Sequence, residues 1–111
     1  MIDIELCREG NEWTVSVTGH SGAAQKGQDI LCAAVSVLTQ TLGVAVLSSI
    51  ASGRIEESGT VALKDGFALI NARAKKANVN EVGALFGFAA TGYKLLGEHY
   101  PEHIHVTENG Y

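Results

Sequence analysis

Residues Ile30 to Ser52 read ILCAAVSVLTQTLGVAVLSSIAS and carry no charged side chain. The stretch is long enough to cross a bilayer, for which about 20 apolar residues suffice. Ser36, Thr39, Gln40, Thr41, Ser48, Ser49 and Ser52 dilute it, however, and its flanks read as ordinary strands and a second helix. The stretch therefore reads as a core helix, with no membrane involved. A helix apolar nearly all round needs cover on more than one side. One sheet covers one side, so the second helix or a second copy of the chain must cover the rest.

Upstream lies Thr18 to Asp29, TGHSGAAQKGQD. His20 follows a strand, and Gly19, Gly22 and Gly27 punctuate the loop. Asp29 is a good N-cap residue, because its carboxylate can accept a first-turn N–H. That start places Ile30, Leu31 and Cys32 at the first three helical positions. A helix N-terminus and a neighbouring imidazolium both favour thiolate over thiol. Cys32 has the first by position, and His20 supplies the second if the glycine loop folds back. Unbonded N–H groups at the helix start can serve as an oxyanion hole. Ser36, four residues on, shares the Cys32 face. The bland alternatives stay open on these residues alone. Cys32 can be a small core hydrophobe, His20 a turn residue, Asp29 only a cap, and Ser36 a hydroxyl bonded back to the Cys32 carbonyl.

The order Gly19-His20, a glycine-bearing loop, then Gly27-x-Asp29-Ile30-x-Cys32-Ala33-Ala34-Val35-Ser36 resembles the signature of the bacterial ribosomal-processing cysteine proteases. The twelve-residue separation of His20 and Cys32 fits as well, and no motif position departs from the pattern. The resemblance implies that Cys32 is the nucleophile and His20 its base, with Asp29 and Ser36 in support. It also implies a homodimer whose substrate is the precursor of ribosomal large-subunit protein twenty-seven. The N-terminal extension of that precursor would be cut after a Phe-Phe pair during ribosome assembly. No cofactor is implied.

Composition sets outer bounds. With 111 residues, 46% hydrophobic content and a net charge of −4, the chain is expected to form one globular domain over 1–111. A mildly acidic chain lacks the surplus of cations that neutralises phosphates, so no direct nucleic-acid binding is expected. Two cysteines are no disulfide framework, although a Cys7–Cys32 bridge is conceivable. The opening MIDIELCREG alternates like a strand rather than a signal peptide, and the expected location is cytoplasmic.

The rest of the chain sorts by periodicity. Met1 to Arg8 and Trp13 to Thr18 alternate as a hairpin around a Glu9–Glu12 turn, with Cys7 on the polar face. Gly53 suits a helix C-cap. Arg54 to Leu63 is a weaker strand, interrupted at Ser58-Gly59. Asp65-Gly66 suits a type I′ turn leading to a strand over Phe67 to Ala74. Asn78-Val79-Asn80-Glu81 has capping-box spacing and opens a helix with Val79, Val82, Leu85, Phe86, Ala89, Tyr93 and Leu96 inward. Gly83, Gly87, Gly92 and Gly97 cost about 1 kcal/mol each there and predict close packing on the first helix. Pro101 ends that helix. A last strand runs from His103 to Glu108, followed by a loose Asn109-Gly110-Tyr111 end. The order ββαββαβ predicts an α+β fold: a mainly antiparallel five-stranded sheet with two helices on one face.

His103-x-His105 would project two imidazoles from one strand face, with His99 nearby, but nothing completes a ligand set, and no metal is expected. The glycines at 19, 22 and 27 match no phosphate loop. Three functions remain: a cysteine endopeptidase, a non-catalytic ribosome-assembly binding module, and a redox-sensing thiol protein. For the first, Gly22 and Gly27 would bracket a substrate loop, a lid over Ala23 to Lys26 that closes on the peptide.

Overall fold

A computed structural model describes residues 1–19 and 26–111, with side chains described in the first helix from Ile30 onward. The elements are β1 (Ile2–Glu9), β2 (Glu12–Thr18), α1 (Lys26–Ala51), β3 (Thr60–Lys64), β4 (Phe67–Arg73), a 3₁₀ turn over Lys76–Asn78, α2 (Val79–His99) and β5 (Ile104–Asn109). The sheet order is β3-β4-β2-β1-β5. Its pairs are antiparallel except β1 with β5. This is the expected two-layer arrangement.

Strand alternation sorts the two faces. Ile2, Ile4 and Leu6 of β1, Trp13 and Val15 of β2, and Ile70 and Ala72 of β4 are buried beneath the helices, while Asp3, Glu5 and Cys7 are exposed. Trp13 stacks on Phe86 of α2 with ring centroids 5.9 Å apart. Arg8 sits over the Trp13 ring at 4.6 Å. Cys7 and Cys32 are not joined in a disulfide.

Several local expectations change. The helix begins at Lys26, not after Asp29. Nothing in Lys26-Gly27-Gln28 forbids helix, and each added residue gains a hydrogen bond once a turn is nucleated. In the β3–β4 turn, Gly66 has φ +75°, and no non-glycine residue among those described has a positive φ. A type I′ turn needs positive φ at both central residues. Asp65 does not take it, so Gly66 alone supplies the reversal. Asn78 makes no side-chain cap on α2; its amide instead donates to the Glu81 carboxylate at 3.1 Å. The 3₁₀ turn already leads the chain into the helix there.

The end of α1 follows expectation. Gly53, φ +79°, donates to the Ile50 carbonyl, and Arg54 donates to that of Ser49. These are the two bonds of a Schellman stop. Ile55 then forms an isolated bridge with Ala74, so β3 proper starts only at Thr60. Tyr111, expected loose, is half-buried, and its hydroxyl donates to the Thr14 carbonyl at 3.4 Å. Burial pushes its phenol well above the ordinary tyrosine range.

Of the four α2 glycines, only Gly92 meets α1: a Cβ there would lie 2.8 Å from Leu38 Cδ2. Gly83 packs on Trp13 and Gly97 on Val106, while Gly87 faces open space. The expected glycine seam between the helices is thus a single close contact, and two of the others face strands. α1 buries Leu31, Val35, Leu42 and Val46 but leaves Ile30, Val37, Val44 and Leu47 exposed. One side of this apolar helix is therefore uncovered among the described residues.

Candidate active site

The end of β2, the N-terminal half of α1 and the β3–β4 turn meet on one rim. Gly19 follows β2 with φ +96°, a conformation L side chains rarely adopt, and a Cβ there would overlap the Met1 carbonyl oxygen. Its N–H donates to the Gly66 carbonyl at 3.0 Å. The chain that leads to His20 is thereby pinned to the hairpin turn.

Cys32 and Ser36 face the same space from α1, one turn apart, as their spacing required. Both line a cavity of about 370 Å³ with Gly19, Thr39 and Gln40. Ile2, Val17, Val35, Leu63, Phe67 and Ala68 supply apolar wall, and Lys64, Asp65 and Gly66 form its outer lip. Cys32 is half-buried and Ser36 exposed, so the sulfur is sheltered without being sealed in the core.

The structure thus brings together three of the expected site residues: Gly19, Cys32 and Ser36. His20 and Gly22 lie outside the described residues, as does most of the proposed lid. The side chain of Asp29 also lies outside them, but its backbone is helical, so it is not the N-cap. Gly27 belongs to α1 rather than to a substrate loop. Cys32 is accordingly the seventh residue of α1, in its second turn, not at N3. The helix-terminal charge decays within the first turn, so the α1 N-terminus acts on this position less than it would at N3.

Thr39 was not singled out from sequence. It is buried, donates to the Val35 carbonyl at 2.7 Å and shares a 2.8 Å hydrogen bond with the Tyr93 hydroxyl. Burial raises the Tyr93 phenol above its ordinary value, and the bond to Thr39 partly offsets this. A neutral Tyr93 therefore donates to Thr39, and the pair ties the cavity floor to α2. The i, i+4, i+7 series Cys32, Ser36, Thr39 was the available signal. The lip residues Lys64 and Asp65 gave no signal beyond a turn.

The histidines at the other end do not share a strand face. β5 starts at Ile104, and His103 sits in the preceding turn, accepting the Ile2 N–H on its carbonyl. Among the described residues, no three His, Cys, Asp or Glu side chains cluster as a metal site.

The family model described as cysteine protease Prp matches residues 1–105. The chain belongs to this cysteine protease family. Solved structures share the fold. The crystal structure of a Streptococcus mutans protein is 27% identical, with 98% of this chain and 96% of that one covered and a TM-score of 0.67. The ribosomal processing protease Prp of S. aureus, in complex with a substrate peptide, is 18% identical over 98% and 100% of the two chains, with a TM-score of 0.71. The same S. aureus protease with a covalently linked product peptide is 20% identical over 98% and 100%, with a TM-score of 0.68. Comparison with curated proteins finds no significant match. Family membership makes Cys32, the cysteine of the site cavity, the candidate nucleophile; Cys7 is exposed on the opposite sheet face.

Proposed function

We propose that the chain is a cysteine endopeptidase that removes the N-terminal extension of ribosomal large-subunit protein twenty-seven after a Phe-Phe pair. The observation that carries this reading is the cavity itself. It holds Cys32 and Ser36 of the family motif beside Gly19, the neighbour of His20 in the chain, and its wall includes Leu63, Phe67, Val17 and Val35. A half-open cavity of about 370 Å³ with one apolar wall has room for large aromatic side chains beside Cys32.

In this reading His20 takes the proton from Cys32 or holds it as an ion pair. Sγ attacks the scissile carbonyl carbon, and an acyl-thioester forms as the C–N bond breaks. His20 protonates the leaving amine, and water then releases the acyl product. N–H groups from the first turn of α1 are candidates for the oxyanion. Asp29, no longer needed as a cap, is left to orient His20. The protein acts on a protein substrate in the cytoplasm, with no direct nucleic-acid contact.

A symmetric homodimer belongs to the same proposal. Ile30, Val37 and Val44 recur every seven residues on the exposed side of α1, with Leu47 beside them. A second copy is the occupant that would cover such a stripe in a self-complementary way.

Iodoacetamide alkylation tests the dyad. Cys32 should react rapidly at neutral pH in the wild type and slowly in His20→Ala. Equal rates in the two proteins would remove His20 from the mechanism.

A further inference from the structure

The geometry points to the open edge of β3 as the strand on which the substrate peptide is laid, by addition of a sixth strand beside the cavity. This rests on the protease reading and specifies how its substrate is held.

β3 terminates the sheet, since β4 is its one paired neighbour among the described residues. The register fixes which of its backbone groups are free to pair. Lys64 opposes Phe67 across the two-residue turn, and such a closing pair exchanges both of its hydrogen bonds. Antiparallel pairs alternate. Ala62 with Leu69 and Thr60 with Asn71 are therefore bonded pairs, while Val61 and Leu63 stand opposite Ile70 and Ala68 without bonding. The rest of the sheet agrees. Gly19 donates to Gly66, which places the β4 bonds to β2 at Ala68 and Ile70 and leaves Phe67, Leu69 and Asn71 for β3. The N–H and C=O of Val61 and Leu63 consequently point away from the sheet, out of its edge.

That edge runs toward the nucleophile. A Cβ on Gly43 of α1 would meet Val61 Cγ1 at 3.1 Å and Leu63 Cδ1 at 3.6 Å, so both side chains sit under α1. Gly43 lies eleven positions after Cys32, about three turns, and so on the same side of the helix. Leu63 and Lys64 also line the Cys32 cavity. A chain bonded to Val61 and Leu63 and continued past Lys64 thus arrives at Cys32. The edge also lacks the usual guards. It contains no proline, and its sequence Thr-Val-Ala-Leu-Lys offers one charge, at the end next to the cavity.

Strand addition gives affinity through main-chain bonds and reads every second side chain. Peptide side chains on the helix-facing side would enter the cavity, and those between them would face the other way. The peptide amides should show the same alternation, because every second one bonds β3.

An ester scan of a synthetic peptide spanning the Phe-Phe junction tests this. Each backbone amide on the β3-bound side of the junction is replaced in turn by an ester, and KM and kcat are measured with the wild-type protein. KM should rise roughly threefold to tenfold at every second position, the scale of one lost hydrogen bond, with the intervening positions near the parent. Val61→Pro, which removes an outward N–H without touching the β4 ladder, should raise KM for the parent peptide by a similar factor, because a peptide carbonyl loses its donor. A flat ester profile, or a KM for the parent peptide that is unchanged in Val61→Pro, overturns strand addition while leaving the protease in place. If the parent peptide is not cleaved in a Cys32-dependent way, the protease reading falls and this inference with it.

Discussion

The backbone N–H of Gly19 donates to the carbonyl of Gly66 across 3.0 Å, joining the end of β2 to the turn between β3 and β4. That bond fixes the residue before His20 to the lip of the cavity that holds Cys32. It also makes the rim sensitive to one methyl group. In Gly19→Ala the new Cβ would overlap the Met1 carbonyl oxygen at a φ of +96°. Relief requires the β1 start or the β2 end to move. The variant should lose about 1–3 kcal/mol, the usual scale of such backbone strain, and most of its turnover. Urea unfolding and peptide cleavage measure the two, and wild-type values in both would show that the rim tolerates displacement.

Tyr93 and Thr39 make a second predictable contact. In Tyr93→Phe, Thr39 keeps its bond to the Val35 carbonyl, so no donor is orphaned and the loss should be about 1 kcal/mol. Thr39→Val instead strands the Tyr93 hydroxyl in a buried site and should cost more, about 1–3 kcal/mol. Denaturant midpoints of the two variants check the order, and Tyr93→Phe as the more damaging change would reverse the donor assignment.

The same phenols predict an alkaline limit. Tyr93 and Tyr111 both have raised folded-state values, against an ordinary value of 10.0. Below pH 10.0 both states keep the protons, and the tyrosines add no slope. Above it the unfolded chain loses protons that the folded chain retains, so stability should fall as pH rises. Urea midpoints taken across that boundary should decline, and less steeply in Tyr93→Phe. A flat profile would mean that the two phenols reach solvent.

The exposed stripe of α1 makes assembly measurable. Light scattering at micromolar concentration should give twice the 11.7 kDa chain mass. Val37→Glu, which places a charge in the middle of the stripe, should return it to the monomer. A wild-type monomer would leave the stripe for another partner.

Much of this was legible in the chain. Period-two alternation in Met1 to Arg8 and Trp13 to Thr18, and the 3.6 spacing from Val82 to Leu96, gave the element order, because each face sees one environment. The spacing of Cys32 and Ser36 placed both in the cavity. What stayed hidden depends on competition between similar energies or on distant contacts. Asp29 is a good cap, but helix propagation through Lys26 overrode it. Asp65-Gly66 announced a turn but not that Gly66 alone would bend it. The glycines of α2 announced close approach without naming the neighbour, and Trp13 and Val106 could be found only from the tertiary arrangement. Thr39 needed Tyr93, 54 positions away, before its role could be read.

Mass spectrometry of a peptide bearing the Phe-Phe junction, incubated with the wild-type protein, Cys32→Ala and His20→Ala, tests the central claim most directly. The wild type should cut after the second phenylalanine. Cys32→Ala should leave the peptide intact while keeping a wild-type melting temperature, and His20→Ala should cut roughly a hundredfold more slowly or not at all. Cleavage by Cys32→Ala at the wild-type rate, or an intact peptide with folded wild-type protein, would contradict the account.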